Sequence, residues 1–367
     1  MVHSDTSPGS RAVSRWILTG VIMLLIQVIL GGITRLTGSG LSITEWNIVT
    51  GTLPPLSDTA WLTEFDKYRQ TPQYQLLNTR FTLEDFKFIF FWEWLHRFWA
   101  RLIGIVFVVG FVYLVSKRAL KKEMRMPLLL LFLLGAAQGA VGWIMVVSGL
   151  TGDEVYVKPT RLALHFIFAM GLIAYAFWFA LKLTVPGKNI IQHARIHRSA
   201  WWLMGLLIVQ LIFGALMAGH KAAMSAPTWP DINGSLVPTG MFRHSPLLLN
   251  ILDNVITVHF IHRNLAYLLL ILIILFTIKL YKLPVKGNVF RRARVMPLVL
   301  VAMQLLLGIF SVLSARSIIP NSWGIFEWMA QLHQIVGMLL MLSLVMILYL
   351  VRAGNENSVS VTHKGAV

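Results

Sequence analysis

The sequence predicts an all-α integral membrane protein: eight transmembrane helices in two tandem four-helix bundles, related by a pseudo-twofold axis along the membrane normal. Three observations predict it. The 367 residues are 56% hydrophobic and 13% charged, with mean hydropathy +0.70, a composition outside the soluble range. Eight apolar stretches have the length needed to cross a bilayer. The second half of the chain repeats the first.

Residues 1–14 are polar and expected to form a disordered tail. The spans are expected near 15–34, 88–115, 126–148, 160–182, 199–219, 255–281, 295–314 and 326–351. The first is too long for a cleaved signal peptide, lacks a clear small-residue cleavage site, and has a repeat partner deep in the chain. Residues 15–182 then form the N-terminal half, 183–198 a linker, 199–351 the C-terminal half and 352–367 a tail. The N-terminus through Arg15, the 116–125, 182–198 and 279–294 loops and the C-terminal tail hold 19 of the 32 Lys and Arg but only 3 of the 15 Asp and Glu. By the positive-inside bias that side is cytoplasmic, with both termini inside. The net charge of +17 is thereby topological, and nucleic acid is not implied. The two longest loops, about 35–87 and 220–254, fall on the opposite side. The first is rich in Gly, Pro and Trp and reads as an ordered cap containing short interfacial helices.

The repeat is legible residue by residue. An offset of 183 places Gln27 on Gln210, Gly31 on Gly214, Trp46 on Trp229, Gly51 on Gly234 and Pro55 on Pro238. In the next two spans an offset of 166 places His96-Arg97 on His262-Arg263, Gln138 on Gln304 and Gly142 on Gly308. In the fourth span an offset of 168 places His165 on His333.

Four spans therefore carry four repeat-matched histidines: His96, His165, His262 and His333. A single buried His is most often a hydrogen-bonded core residue, but a matched set of four is harder to explain that way. Each lies about 5–8 residues inside the outer end of its span, roughly 10 Å deep at about 1.5 Å per residue. Two imidazoles per half at one depth suit a planar macrocycle with one axial ligand on each face. Zinc would call for three or four clustered ligands. The chain has no cysteine, which excludes c-type haem attachment, Cys-ligated iron–sulfur clusters and disulfides. His3, His193, His197 and His363 read as solvated, and His220 and His244 as loop-surface residues.

Glu93, His96 and Arg97 share a helix face at i, i+3, i+4. Glu93 aligns with His259, so the halves keep the same His pair but differ one turn away. Glu93 is either an ion-pair partner of an Arg or a carboxylate beside a bound macrocycle, where it accepts a proton or stabilises developing positive charge. Intramembrane ionisable groups mark sites by default. Arg35, Arg97 and Arg263, near outer helix ends, read either as partners for the propionates of a haem or as interfacial anchors.

The strings GGITRLTGSGLSITEW, GTLPPL, FDKYRQTPQY, FKFIFFWEWLHRFWARLIG, QGAVGWIMVVSGL, RLALHF, HFIHRNLAY and LHQIVGM resemble the haem A synthase family in its cysteine-free form, over nearly the whole chain. Ile48, Ala100 and His259 depart from the family pattern, as does the first part of the loop AGHKAAMSAPTWPDINGSLVP. The resemblance implies an eight-helix, two-half bundle that oxidises the C8 methyl of haem O to a formyl group, giving haem A for terminal oxidases. Two successive hydroxylations of one methyl, then loss of water, would make the aldehyde. It further implies that His96 and His165 hold the substrate haem, that His262 and His333 hold a permanent haem b as cofactor, and that Glu93 acts in catalysis. The expected setting is the bacterial cytoplasmic (inner) membrane, with the haem sites towards the extracytoplasmic side. Expected partners are haem O, membrane lipid, an electron donor or acceptor such as a quinone or quinol, haem O synthase, and further copies of the chain. Two other readings compete: a dihaem b electron-transfer protein without a substrate haem, and a transporter whose histidines are structural.

Overall fold

The computed structural model describes residues 8–46, 50–285, 287–319 and 322–354. It is almost wholly helical. The eight helices long and apolar enough to cross a membrane are α1 (Pro8–Leu36), α4 (Leu83–Ser116), α5 (Arg125–Val147), α6 (Pro159–Thr184), α7 (Ala194–Gly219), α9 (Val255–Tyr281), α11 (Met296–Ser314) and α12 (Ile325–Leu350). Shorter helices lie between them: α2 (Asp58–Arg69), α3 (Pro72–Leu77), α8 (Leu247–Leu252) and α10 (Gly287–Ala293).

Helix starts follow local capping chemistry. Thr82 and Asp85 form a reciprocal capping box that begins α4 at Leu83. Ser57 caps α2, Thr71 caps α3 ahead of Pro72, and Asn254 caps α9. α4 therefore begins five residues before the expected span. At about 51 Å it exceeds a bilayer core of about 30 Å. Its first turns carry Phe86, Ile89 and Phe90, which pack with Phe65 and Tyr68 of α2 into a small aromatic core. The loop after α1 is thus the ordered cap that its composition suggests, with α2 and α3 as its short helices. Tyr68 is fully enclosed there and hydrogen-bonds Gln73. Burial pushes its phenol up to about 12, which keeps it a donor.

Within the first half, α1 packs on α4 and α6, and α5 on α6. Within the second, α7 packs on α9 and α12, and α11 on α9 and α12. The repeat pairs α1 with α7, α4 with α9, α5 with α11 and α6 with α12. Between halves α1 meets α12, α7 meets α6, and α6 meets α12. That reciprocity is what a twofold relation demands of its seam. On one side of the seam Gln334 and Gln331 of α12 donate to Val28 and Ile29 carbonyls of α1. The matching side is apolar, with Ala163 and Phe166 against Ala215 and Leu216.

Two expectations change at the opposite, basic end. Residues 8–14, expected in a disordered tail, are helical, because Val13 is fully buried with Ile17 against Leu114 and Leu128. The all-α expectation has a two-residue exception: Ile191-Gln192, in the expected linker, pairs in parallel with Val351-Arg352. His193 and His197, expected to be solvated, serve this junction. His193 Nδ1 caps α7, and His197 Nδ1 donates to Val351 O at 2.7 Å. Residues 1–7 and 355–367, the rest of the expected tails, lie outside the described residues, as does Ile48.

Candidate functional site

The four matched histidines sit on α4, α6, α9 and α12, and each is seated the same way. A helix from the same hairpin presents a Gln-x-x-x-Gly ridge, and the imidazole rests on the glycine. A Cβ on Gly31, Gly142, Gly214 or Gly308 would lie 3.0, 2.9, 3.2 or 3.0 Å from Cε1 of His96, His165, His262 or His333. One turn earlier, Gln27, Gln138 and Gln210 each donate an Nε2 hydrogen to the backbone carbonyl of their histidine, at 3.1–3.2 Å. Gln304 contacts His333 Nε2 at 3.2 Å, while His333 Nδ1 meets Gln304 O at 3.0 Å. The second hydrogen-bonding atom of all four amides, Oε1, is buried and unpartnered. The signal for these ridges was present in the sequence as a spacing of four, repeated in the first and third span of each half. Only packing shows what it is for.

The C-terminal imidazoles are neighbours, edge to face at 74°. The ring centroids of His262 and His333 lie 6.3 Å apart, close to the spacing of two imidazoles that share one metal ion through bonds of about 2 Å. His165 lies within electrostatic reach of His96. Two neighbouring imidazoles per half, each resting on a glycine, fit a haem. His96 with His165 and His262 with His333 are the pairs that share one depth in the sequence.

Glu93 is 3% exposed and saturated. Its Oε1 accepts from Arg97 at 2.5 Å, and its Oε2 accepts from Ser42 N, Ser42 Oγ and Ile43 N at 2.7, 2.7 and 2.9 Å. Arg97 also donates to the carbonyls of Ile43 and Glu45. Glu93 and Arg97 thus clasp the loop after α1 over the site. The second half repeats the clasp. Arg263, 8% exposed, donates to the carbonyls of Ala226, Thr228 and Asp231 and to His259 Nε2. Ala226 and Thr228 stand 183 residues after Ile43 and Glu45, so the arginines hold equivalent carbonyls. The loop tryptophans are matched too: Arg97 lies over Trp46, 5.1 Å from its ring centroid, while Trp229 donates to Tyr267.

Most of the donors of Arg97 and Arg263 are therefore committed to loop backbone. Arg35 differs. It donates to Ala218 O across the seam, lies within reach of Glu327, and keeps a buried Nε without a partner. His220, read as a surface residue, instead donates through Nε2 to Leu252 O at the end of α8, at 2.8 Å. His244 is backbone-bonded to Asn250 through both its amide and its carbonyl.

Fold and site together define a duplicated helical membrane protein with two matched histidines in each half. Residues 14–345 match the COX15-CtaA family, described as cytochrome oxidase assembly protein, and the chain belongs to that family. It is 47% identical to the heme A synthase of Rhodospirillum centenum over 257 residues, 70% of this chain and 68% of that one. It is 40% identical to the heme A synthase of Novosphingobium aromaticivorans over 352 residues, 92% of this chain and 96% of that one. It is 37% identical to that of Flavobacterium johnsoniae over 336 residues, 90% and 95% of the two.

Proposed function

We propose that this chain is the membrane oxidoreductase that converts haem O to haem A, oxidising the C8 methyl to a formyl group. The observation that carries the reading is the one-turn asymmetry between otherwise matched bis-histidine sites: Glu93 in the first half and His259 in the second. An electron-transfer protein with two equivalent haems has no need of it, and the named relatives are heme A synthases.

In this reading His96 and His165 hold the substrate haem, and His262 and His333 hold haem b. Bound haem b supplies one-electron chemistry between the site and an external quinone-type partner. The protein orients and encloses. The glycine cradles fix each imidazole, and the two loop clasps keep water from the outer ends of the sites. Glu93 accepts four hydrogen bonds, which hold its carboxyl group in place one turn from His96, where it stabilises positive charge developing at the reacting carbon. Of the three arginines proposed for propionates, Arg35 is favoured, because its Nε has no other partner. The basic end faces the cytoplasm of a bacterial inner membrane, and the sites lie towards the outer side.

Extraction and identification of the haems in purified protein tests the function. Haem O, a hydroxylated intermediate or haem A beside haem b is expected. Two equivalents of haem b alone would establish the dihaem electron-transfer reading instead, and no haem at all would leave the transporter.

A further inference from the structure

The two halves share their sites but not their walls. In the second half α9 and α11 pack against each other; in the first, the equivalent α4 and α5 make no comparable packing. Between them Phe107 stacks on Phe132, ring centroids 6.2 Å apart. That stack lies three turns from His96 towards the basic end, a length of about 16 Å. Between histidine and stack, α4 presents Ala100 and Gly104, and α5 presents Gly135 and Gly139. Phe132, Gly135 and Gly139 are spaced i, i+3, i+7, so they share one face of α5. Gly104, Gly135 and Gly139 are all exposed on their helices, and a Cβ added at any of them meets no atom within 4 Å. The repeat puts Leu270, Val301 and Leu305 at these three positions, and Ile273 and Leu298 at the two phenylalanines. Ile273 and Val301 are buried in the main core, with Leu270 and Leu298 packed against it. The second half fills the gap with side chains that the first half lacks.

Gly139 stands next to Gln138, whose amide donates to the backbone carbonyl of His165, so the open face of α5 adjoins the candidate substrate site. Gln138, on α5 beside His165, has its Oε1 buried and unpartnered at the head of the gap. α4 and α5 offer it only Ala100 and glycines, and the Phe107–Phe132 stack lies at its basic end. A porphyrin held between His96 and His165 would have one edge towards it. Haem O differs from haem b by a long isoprenoid chain, and such a chain has the chemistry and the length for an apolar slot of this depth.

We propose that the slot between α4 and α5 is the binding subsite for the isoprenoid tail of the substrate porphyrin and opens sideways to the bilayer. It would let the tail enter and leave through lipid, while the closed second half retains its haem. The inference rests on the reading of the first half as the haem O site.

The test fills the slot with the residues of the other half: Gly104→Leu, Gly135→Val and Gly139→Leu, singly and together, in purified full-length protein. Soret titrations compare haem O with protohaem, which lacks the tail, and haem b content reports folding of the second half. The triple variant should weaken haem O binding at least tenfold, with protohaem binding and haem b content unchanged. Unchanged haem O binding, or equal loss of both porphyrins, overturns the slot. A second measurement covers variants that fail to fold. The chain has no cysteine, so Gly139→Cys introduces a single reporter for a lipid-soluble maleimide. Haem O should protect it and protohaem should not. Equal protection, or none, means that lipid or nothing fills the slot. Wild-type protein that does not bind haem O would instead sink the functional reading itself.

Discussion

At the scale of the residue, each site depends on the absence of a side chain as much as on the imidazole. The cradle glycines bring one helix within van der Waals reach of the histidine ring of the next. Gly308→Ala should push His333 off the position opposite His262. We expect haem b content to fall by more than half in the purified protein, whereas Gly142→Ala should spare haem b and impair handling of the substrate haem. Pigment analysis of both variants checks this, and equal loss of haem b in the two would contradict the assignment of sites to halves. Glu93→Gln puts an amide where a carboxylate now meets Arg97, Ser42 and Ile43. One amide oxygen can keep the bonds from the loop, but the amide hydrogens then face the guanidinium. Haem b should stay near normal while haem O or a hydroxylated product accumulates. Wild-type haem A yield in this variant would leave Glu93 as a loop clasp alone.

At the scale of the element, the arginine clasps and the α1–α12 seam hold the helices in place. Arg263 satisfies three loop carbonyls, and buried acceptors left unsatisfied cost about 1–3 kcal/mol each. Arg263→Ala should therefore lower the melting temperature markedly and make the 222–236 loop newly sensitive to protease; a loop as resistant as in the wild type would show that the clasp is dispensable. At the seam, a Cβ on Gly32 would sit 2.3 Å from Gln331 Oε1, which is itself buried. Gly32→Ala should cost about 1–3 kcal/mol by overpacking, read as a lower thermal midpoint in detergent. No shift in the midpoint would mean that Gln331 moves aside freely.

At the scale of the whole molecule, duplication gives two sites and divergence gives them different tasks. His262→Ala or His333→Ala should remove the tightly held haem b spectrum. His96→Ala or His165→Ala should keep that spectrum and lose haem A formation. Parallel loss of haem b in all four would point to two equivalent haems. Topology follows from charge: reporter fusions after Arg118 and Lys188 should read cytoplasmic, and fusions after Asp58 and Gly234 should read outside. One reversal would break the common depth of the four histidines.

The sequence by itself determined the class of fold, the eight spans, the repeat and the four histidines. Long apolar runs have one stable form in lipid, because every backbone polar group must be satisfied within the helix. Costly ionisable residues in such runs stand out without any knowledge of their neighbours. Histidine pairing followed from matched depth alone. The early start of α1 and the ordered junction at the basic end were not legible, because Val13 and the 191–192 strand owe their order to partners far along the chain. Nor was the use of Gln27, Gln138, Gln210 and Gln304, whose spacing was visible but whose contacts lie on other helices. Only the tertiary structure decided that Glu93 is fully hydrogen-bonded to Ser42, Ile43 and Arg97. It alone shows that Arg97 and Arg263 hold equivalent loop carbonyls and that α4 stands apart from α5 where α9 and α11 close. These are distances between segments remote in sequence, set by how side-chain volumes fill or fail to fill the space between helices.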